Sequence, residues 1–434
     1  MQEIEKKKTN INYKRLTAIL TVYLFMFFYG FAQGCDFVAR PMIIKTYPTE
    51  FTKYVSYLFP LSMAIGSFIY SYMGIQKSLL ISLLIFCLGA LTFSMSVNSA
   101  AIVCAMIISS LAYGCFETSL NASGFILFHG KTEAKLICWL HFFFAIGEVV
   151  STSCATNISH ILEMGYHSIY AILITFAIIM VLVLMFVDFK LPEFEAPASK
   201  YTLREAFNDS KVWFFIGAFT LINYIESFIL NDVLTYIIDA FLKEEDRERI
   251  LGFTEWILYF YAGSRLLLGY FVDKIGHFLS IMICMSAVVV LLLITAFCGP
   301  FGVYVVIFSG IFIGLIYPTI FTIAMDSFAP HSCVPILVII VFSNIGSIIG
   351  KFLTTLMMQY YGFFTGITLS IIFGVLLIIL IYWYSTELFN VHILSNYSNE
   401  AVAISDMEPN NASTADSVTA PLVVNSIDQQ FVSL

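Results

Sequence analysis

The chain has 434 residues, of which 59% are hydrophobic and only 12% are charged. An ordinary soluble domain carries about 25% charged residues, so this composition argues against a water-soluble enzyme and predicts a polytopic membrane protein. The formal net charge is −8, and no Lys or Arg follows Lys351. Because the chain has no extended basic field, we predict no nucleic-acid partner.

Apolar runs of membrane-crossing length recur along the chain. A helix needs about 20 mostly apolar residues to cross the hydrocarbon core of a bilayer. Twelve runs meet this condition, so we predict an all-α membrane protein with twelve transmembrane helices in two six-helix bundles. The predicted spans are residues 16–35, 54–73, 78–97, 100–128, 135–156, 167–188, 212–240, 250–272, 278–298, 302–326, 334–358 and 364–385.

The segment 189–211 is polar, contains two prolines and separates the spans six and six. It predicts a cytoplasmic linker between two bundles, and the Ser-rich and Asn-rich C-terminal residues predict a disordered tail. The predicted organisation is a basic cytoplasmic N-terminus (1–15), an N-terminal bundle (16–188), the linker (189–211), a C-terminal bundle (212–385) and a cytoplasmic tail (386–434).

The distribution of basic residues indicates the orientation in the membrane. Thirteen of the twenty-one Lys and Arg residues fall in segments that are cytoplasmic when the N-terminus lies inside, and six fall in external ones. This bias predicts a multi-pass protein of the plasma membrane or an endomembrane with both termini in the cytoplasm. The sequon Asn157-Ile-Ser159 then falls in an external loop, where Asn157 is a candidate glycosylation site.

Three carboxylates lie well inside predicted spans: Glu117, Glu148 and Glu226. An acid at the centre of a membrane helix costs about 2.5–3.5 kcal/mol on insertion scales, so its retention points to function. Glu117 shares a helical face with Asn121. This face predicts a carboxylate that binds solute hydroxyls and exchanges a proton; the alternative is a contact between helices.

Two sets of motifs carry a family resemblance. The run Gly269-Tyr-Phe-Val-Asp273-Lys274-Ile-Gly276 resembles the cytoplasmic loop signature of the major facilitator superfamily, although its first-half counterpart has Ser71 in place of the aspartate. Glu117-Thr-Ser-Leu-Asn121, followed by Leu-His141-Phe-Phe-Phe-Ala-Ile-Gly, is similar to the fucose–glucose–galactose permease branch, and within it to the sodium-dependent glucose transporter 1 group. The resemblance implies a cavity lined by spans 1, 4, 7 and 10 and proton coupling at Glu117.

Further polar and aromatic residues of the spans complete the candidate site. Asp36 and His141 join Glu148 as coupling candidates, with a solvated acid and a structural histidine as the alternatives. Asp273, Lys274 and Arg265 are gating candidates, and Arg265 is expected to pair with an acid. Pro318 is expected to interrupt its span and free a backbone carbonyl. For Trp256, anchoring at the membrane interface is the alternative to contact with a solute. The substrate-contact candidates are Glu117, Asn121, Gln33, Asn223, Glu226, Trp256, Tyr259, Tyr317 and Asn344.

These observations predict a secondary-active or facilitative transporter, not an enzyme, that moves a small polar solute by alternating access. The first candidate solute is a hexose, H⁺ or Na⁺ is the candidate coupling ion, and a monomer in the bilayer is expected. A non-transporting solute sensor on the same fold and a carrier of another small organic solute are the alternatives. No phosphate-binding loop motif is present, and the scattered cysteines have no metal-ligand spacing, so neither ATP-driven transport nor a cofactor is predicted.

Overall fold

The structure is a computed structural model that describes residues 2–47, 62, 65, 75–128, 134–162, 165–187, 202–233, 244–328 and 334–405. Within these residues the regular structure is helical, and no strand occurs. Met1–Ile378 form one compact unit, which contains the helices of both predicted bundles up to the last span. Ile379–Leu434 form a second unit, in which the last helix continues.

The first half of the described chain contains five long helices. They are α1 (Gln2–Thr46), α2 (Ile75–Ser94), α3 (Ser99–Phe128), α4 (Ala134–Leu162) and α5 (Tyr166–Phe186). A short helix, α6 (Leu203–Asn208), follows in the predicted linker. Its start is fixed by a capping box, in which Thr202 and Glu205 exchange hydrogen bonds.

The second half begins with α7 (Ser210–Ser227), which continues into a π-helical turn (Phe228–Asp232). The helices that follow are α8 (Glu244–Leu267), α9 (Gly269–Ile275), α10 (His277–Cys298), α11 (Gly302–Val306), α12 (Ser309–Phe328), α13 (Val334–Tyr361) and α14 (Phe363–Ser405).

Ten helical stretches of the described chain are long and apolar enough to cross a membrane. Ten of the twelve predicted spans coincide with them. The predicted span 54–73 lies outside the described residues, apart from residues 62 and 65. The predicted span 250–272 forms α8 and α9, which are separated at Leu268 and are not among the ten.

Two helices extend beyond the predicted spans. α1 includes residues 2–15, which were predicted only as a basic segment, and α14 continues to Ser405 through the first part of the predicted disordered tail. Neither extension contains Gly or Pro. Hydropathy marks where a helix meets the bilayer, but the helix itself ends only at a breaker or a cap, so these boundaries were predicted too short.

Helix pairing repeats between the two halves. α1 packs on α4 and α7 packs on α13, which pairs the first and fifth predicted spans of each half. α2 packs on α3 and α10 packs on α12, which pairs the third and fourth spans of each half. This repetition is the architecture of transporters built from two related bundles.

Glycines allow the closest of these crossings. A Cβ atom at Gly147 of α4 would overlap the backbone carbonyl of Phe27 and lie 2.7 Å from the backbone nitrogen of Phe31 on α1. A Cβ atom at Gly30 would overlap the carbonyl of Phe144 in the same way. Backbone-to-backbone contact of this kind requires small residues, and it holds α4 rigidly against α1.

We therefore expect Gly147→Ala to destabilise the protein, because neither backbone can move away from the new methyl group without separating the helices. Overpacking of this type costs about 1–3 kcal/mol. Gly263→Ala is the matched control, since a Cβ atom there would have no atom within 4 Å apart from its chain neighbours and the backbone of its own helix. Thermal unfolding in detergent should show a lower melting temperature for Gly147→Ala only; equal melting temperatures for the two variants would contradict the packing described here.

Candidate functional site

A group of polar side chains lies where α1, α3, α4, α7, α8, α12 and α13 meet. Most of its members interact with one another through hydrogen bonds, ring contacts or electrostatic interactions. The others lie one helical turn from a residue that does so. Both halves contribute, so the group lies between the predicted bundles. We call it the central polar cluster: Tyr29, Gln33, Glu117, Asn121, His141, Glu148, Glu226, Tyr261, Arg265, Tyr317 and Asn344.

Glu117 of α3 is the carboxylate of this cluster that faces an amide from the other half. The side chain of Asn344 on α13 interacts with it, yet Glu117 Oε2 and Asn344 Nδ2 each lack a hydrogen-bond partner. One turn further along α3, Asn121 is 1% exposed and both of its amide atoms also lack a partner. The cluster thus presents buried donors and acceptors that a polar guest can satisfy.

Two tyrosines each lie within electrostatic range of two of the carboxylates. Tyr29 of α1 hydrogen-bonds with Gln33 and interacts electrostatically with Glu117 and Glu148. Tyr317 of α12 interacts with Glu117 and, in the second half, with Glu226. Tyr29 was not predicted from the sequence, although its position four residues before Gln33, on the same helical face, could have identified it.

An ion pair joins Glu226 of α7 to Arg265 of α8, with Arg265 Nη2 at 3.3 Å from Glu226 Oε1. The hydroxyl of Tyr261, another residue that the sequence analysis missed, donates to Glu226 and accepts from Arg265. Arg265 is 1% exposed. A guanidinium buried so deeply needs such partners. The sequence predicted an acidic partner for Arg265, and the structure identifies this partner as Glu226.

Pro318 supplies a further partner for Arg265. α12 continues through Pro318 as one helix, so the predicted interruption does not occur. Proline has no N–H group, and the carbonyl of Gly314, four residues earlier, therefore has no helical donor. Arg265 Nε donates to this carbonyl at 2.9 Å. The guanidinium thereby replaces the missing backbone hydrogen bond.

At one end of the unit, the two halves are joined by hydrogen bonds along the first two turns of α4. Asp273 Oδ1 accepts from the backbone N–H of Ala134 at 2.6 Å. Trp139 Nε1 donates to the carbonyl of Leu266 at 3.3 Å, and Arg265 Nη1 donates to the carbonyl of His141 at 3.1 Å. This end was predicted to be cytoplasmic, and the structure is closed there.

Comparison with known families decides the class of this protein. The sequence model of the Major Facilitator Superfamily matches residues 22–333. This chain belongs to the Major Facilitator Superfamily. No curated protein sequence is a match for it.

Solved transporters of the superfamily share the fold. The chain is similar to the transporter FucP in its outward conformation (TM-score 0.73, 13% identity) and to a single-residue variant of FucP, the fucose:proton symporter of E. coli (TM-score 0.72, 13% identity). It is also similar to the human organic anion transporter MFSD10, or TETRAN (TM-score 0.65, 11% identity). Each likeness covers 85% of this chain and 99% of the other. The predicted all-α fold of two six-helix bundles is confirmed.

Some of the site residues predicted from the sequence lie apart from the central polar cluster. Asp36 accepts hydrogen bonds from Tyr113 and Tyr170, each at 2.7 Å, so helices of the first half satisfy both of its oxygens. Trp256 and Tyr259 are 51% and 42% exposed. At 3.6 residues per turn they lie on the side of α8 opposite Tyr261 and Arg265, so the structure does not place them against a solute in the cluster.

Three other predicted residues lie elsewhere or at the margin. Asn157 falls within α4, in helix instead of the predicted loop, and its side chain is outside the described residues. Asn223 is partly buried one turn before Glu226. The ammonium of Lys274 lies 4.5 Å from the ring centre of Tyr270 on the same helix.

Cys138 is a natural reporter of the closed end. Cys138 is fully buried on α4, between Ala134, which bonds Asp273, and His141, which bonds Arg265. A Cβ atom built on Gly269 of α9 would lie 2.8 Å from the Cβ atom of Cys138. Its thiol therefore becomes accessible to a maleimide only when α8 and α9 move away from α4. Cys115, equally buried within the first half, reports unfolding instead.

We expect Asp273→Ala to increase the rate at which a maleimide modifies Cys138, because α4 loses the carboxylate at its N-terminus. Such a cap contributes about 1 kcal/mol, which corresponds to a roughly fivefold change in an equilibrium. Lys274→Ala is the control, because the ammonium of Lys274 contacts the ring of Tyr270 on its own helix, so its loss removes a neighbouring charge but keeps the carboxylate at α4. Mass spectrometry of the Cys138 peptide gives the rate. Equal rates in wild type and Asp273→Ala would show that this cap does not hold the end closed.

Proposed function

We propose that this member of the superfamily transports a neutral hexose by alternating access and couples that transport to a cation at Glu117. The superfamily and the fold support secondary transport of a small solute. The observation that carries the choice of solute is the set of buried polar atoms without partners in the central polar cluster.

These atoms suit the hydroxyl groups of a sugar. Glu117 Oε2 and Asn121 Oδ1 are acceptors, and Asn121 Nδ2 and Asn344 Nδ2 are donors, all without a partner. Each sugar hydroxyl is both a donor and an acceptor. A buried polar atom left unpaired costs about 1–3 kcal/mol, so a solute that pairs several of them gains affinity from groups already in place.

The ring of His141 adds an apolar surface to the same place. It packs edge-on against Tyr317, with ring centres 5.1 Å apart, and against Phe321 at 6.1 Å. Its Nε2 atom lacks a hydrogen-bond partner. A pyranose presents both hydroxyl edges and C–H faces, so aromatic rings beside open polar atoms match its two kinds of surface.

The charges of the cluster favour a neutral solute over an anion. An anion carrier needs a basic group with free donors in the cavity, but four of the five N–H donors of Arg265 are engaged by Gly314, His141, Glu226 and Tyr261. Glu117, Glu148 and Glu226 would repel an anionic solute. The human neighbour is an organic anion transporter by name, but its 11% identity to this chain supports the shared fold alone.

Glu117 is the proposed coupling group because Arg265, the basic member of the cluster, is paired with Glu226. A buried carboxylate without a cationic partner is costly unless a proton or another cation neutralises it. One structural neighbour is a fucose:proton symporter, and the sequence resembles sodium-dependent glucose transporters, so H⁺ is the first candidate and Na⁺ the second. Na⁺-driven uptake therefore belongs in the same experiment.

We expect Glu117→Gln to retain glucose counterflow and to lose uphill uptake, because glutamine keeps the hydrogen-bonding shape but cannot bind a proton. Labelled glucose uptake into proteoliposomes, with and without H⁺ and Na⁺ gradients, measures both. Glu387→Gln, which changes an exposed carboxylate, is the matched control. If wild-type protein binds hexose without flux, it is a sensor; if it shows neither binding nor counterflow with any hexose, the solute assignment is wrong.

We also expect Asn121→Ala to raise the half-saturating glucose concentration about tenfold or more, because two hydrogen bonds to the solute are lost. A neutral sugar alcohol should compete with glucose in wild type, whereas a hexuronate anion should not. Competition by the anion at equal concentration would contradict the charge argument and favour an anionic solute.

A further inference from the structure

Pro318 and Arg265 are linked through one backbone carbonyl. α12 runs through Pro318 as one helix, although proline supplies no N–H group to the carbonyl of Gly314 four residues earlier. Arg265 Nε donates to that carbonyl at 2.9 Å, and the arginine is 1% exposed. The guanidinium therefore bonds an acceptor that the N–H of any other residue at position 318 would compete for.

The packing of α8 on α12 fixes where this carbonyl lies. A Cβ atom built on Gly314 would lie 2.4 Å from Ser264 Oγ and 2.7 Å from the backbone oxygen of Tyr261. At this level the two helices therefore pack backbone against backbone, and neither can approach or turn further without overlap. The bond to Arg265 then depends on the direction in which the Gly314 carbonyl points.

Proline controls this direction in two ways. It removes the N–H group that would draw the Gly314 carbonyl along the axis of α12, and its ring crowds the same carbonyl and tilts it away from the axis. Both effects favour the bond to Arg265, because a hydrogen bond weakens steeply as it departs from linearity.

The remaining bonds of Arg265 also hold its donors away from a solute. Nη1 donates to the carbonyl of His141 at 3.1 Å, and Nη2 bonds Glu226 and Tyr261. With Nε held by Gly314, four of the five N–H donors are engaged. Because these donors occupy fixed positions in one plane, loss of the Nε bond frees a donor and removes a contact that orients the plane.

We propose that Pro318 is a positioning residue that determines the charge of the solutes accepted by the central polar cluster. It acts through Arg265: by leaving the Gly314 carbonyl to the guanidinium, it withholds a donor that an anion would bind. The excluded class is carboxylates, which arginine recognises through paired N–H donors. The inference rests on the neutral solute of the proposed function, and it explains how an arginine can lie in the cluster without attracting anions.

The test compares Pro318→Ala with a second variant that differs from it only in the new N–H group. The second variant carries at position 318 the α-hydroxy acid that corresponds to alanine, introduced by nonsense suppression in cell-free synthesis, so that an ester oxygen replaces the N–H group. Each full-length protein in lipid nanodiscs is treated, without any solute, with phenylglyoxal, which modifies guanidinium groups. Mass spectrometry of the Arg265 peptide gives the reaction rate.

Pro318→Ala should raise the rate at Arg265 about tenfold, the effect of losing one hydrogen bond to a charged group, and the ester variant should react as slowly as wild type. Thr319→Ala is the control within the same turn. The hydroxyl of Thr319 donates to the carbonyl of Leu315, so its loss also frees a carbonyl four residues earlier but leaves Gly314 unchanged. This variant should react as wild type does.

Glucuronate, which is a hexose derivative with one carboxylate, gives the second readout. It should raise the melting temperature of Pro318→Ala, in which Arg265 has a donor to offer, and leave that of wild type and of the ester variant unchanged. The same melting curves show that each variant is folded.

Release of Arg265 in Pro318→Ala, reversed by the ester and accompanied by glucuronate binding, supports the inference. Equal Arg265 rates in wild type and Pro318→Ala overturn it. A raised rate that persists in the ester also overturns it, because loss of the proline ring alone would then be the cause. Release without glucuronate binding, or glucuronate binding by wild type, overturns the role in solute choice. Neither measurement contains a neutral hexose, so failure of hexose transport is a separate result that concerns the proposed function alone.

Discussion

Burial of the Arg265 guanidinium is the constraint on which the rest of the site depends. The residue is 1% exposed at the depth of the membrane helices, where an unsatisfied charge is prohibitively costly. Its partners come from α4, α7, α8 and α12, so these four helices must meet at one point. That meeting point places the carboxylate of Glu226 and the backbone of α4, from the other half, beside the same cation.

The backbones of α8 and α12 come unusually close, which lets one side chain bond groups on several helices. Gly314 allows this on α12, because a Cβ atom there would lie 2.7 Å from the carbonyl of Tyr261 on α8. Pro318 then leaves the Gly314 carbonyl without a helical donor. The two residues act together: the glycine brings the carbonyl near α8, and the proline makes it available to Arg265.

The sequence identified what depends on local pattern and missed what depends on pairing. Apolar length located ten of the twelve predicted spans in the described chain, and the cost of intramembrane acids drew attention to Glu117, Glu148 and Glu226, which the structure brings into one cluster. Hydropathy did not locate the ends of α1 and α14, because a helix continues past the bilayer when no breaker follows. Which helical face meets which neighbour is a tertiary property. The sequence therefore predicted an acidic partner for Arg265 without naming Glu226, and it left the direction of Trp256 open between the cavity and the membrane interface.

The contrast between contacts within and between the halves explains how such a protein can move. Within the first half, α1 and α4 touch backbone to backbone at Gly147, and such a crossing cannot slide without steric overlap. Between the halves, the closed end depends on a carboxylate at a helix N-terminus, an indole N–H and one guanidinium N–H. Hydrogen bonds contribute about 0.5–3 kcal/mol each, and water or another state's partners can replace them. The contact within the first half thus resists sliding, whereas the hydrogen bonds between the halves can be exchanged, and movement there also has to separate the close packing of Gly269 on Cys138.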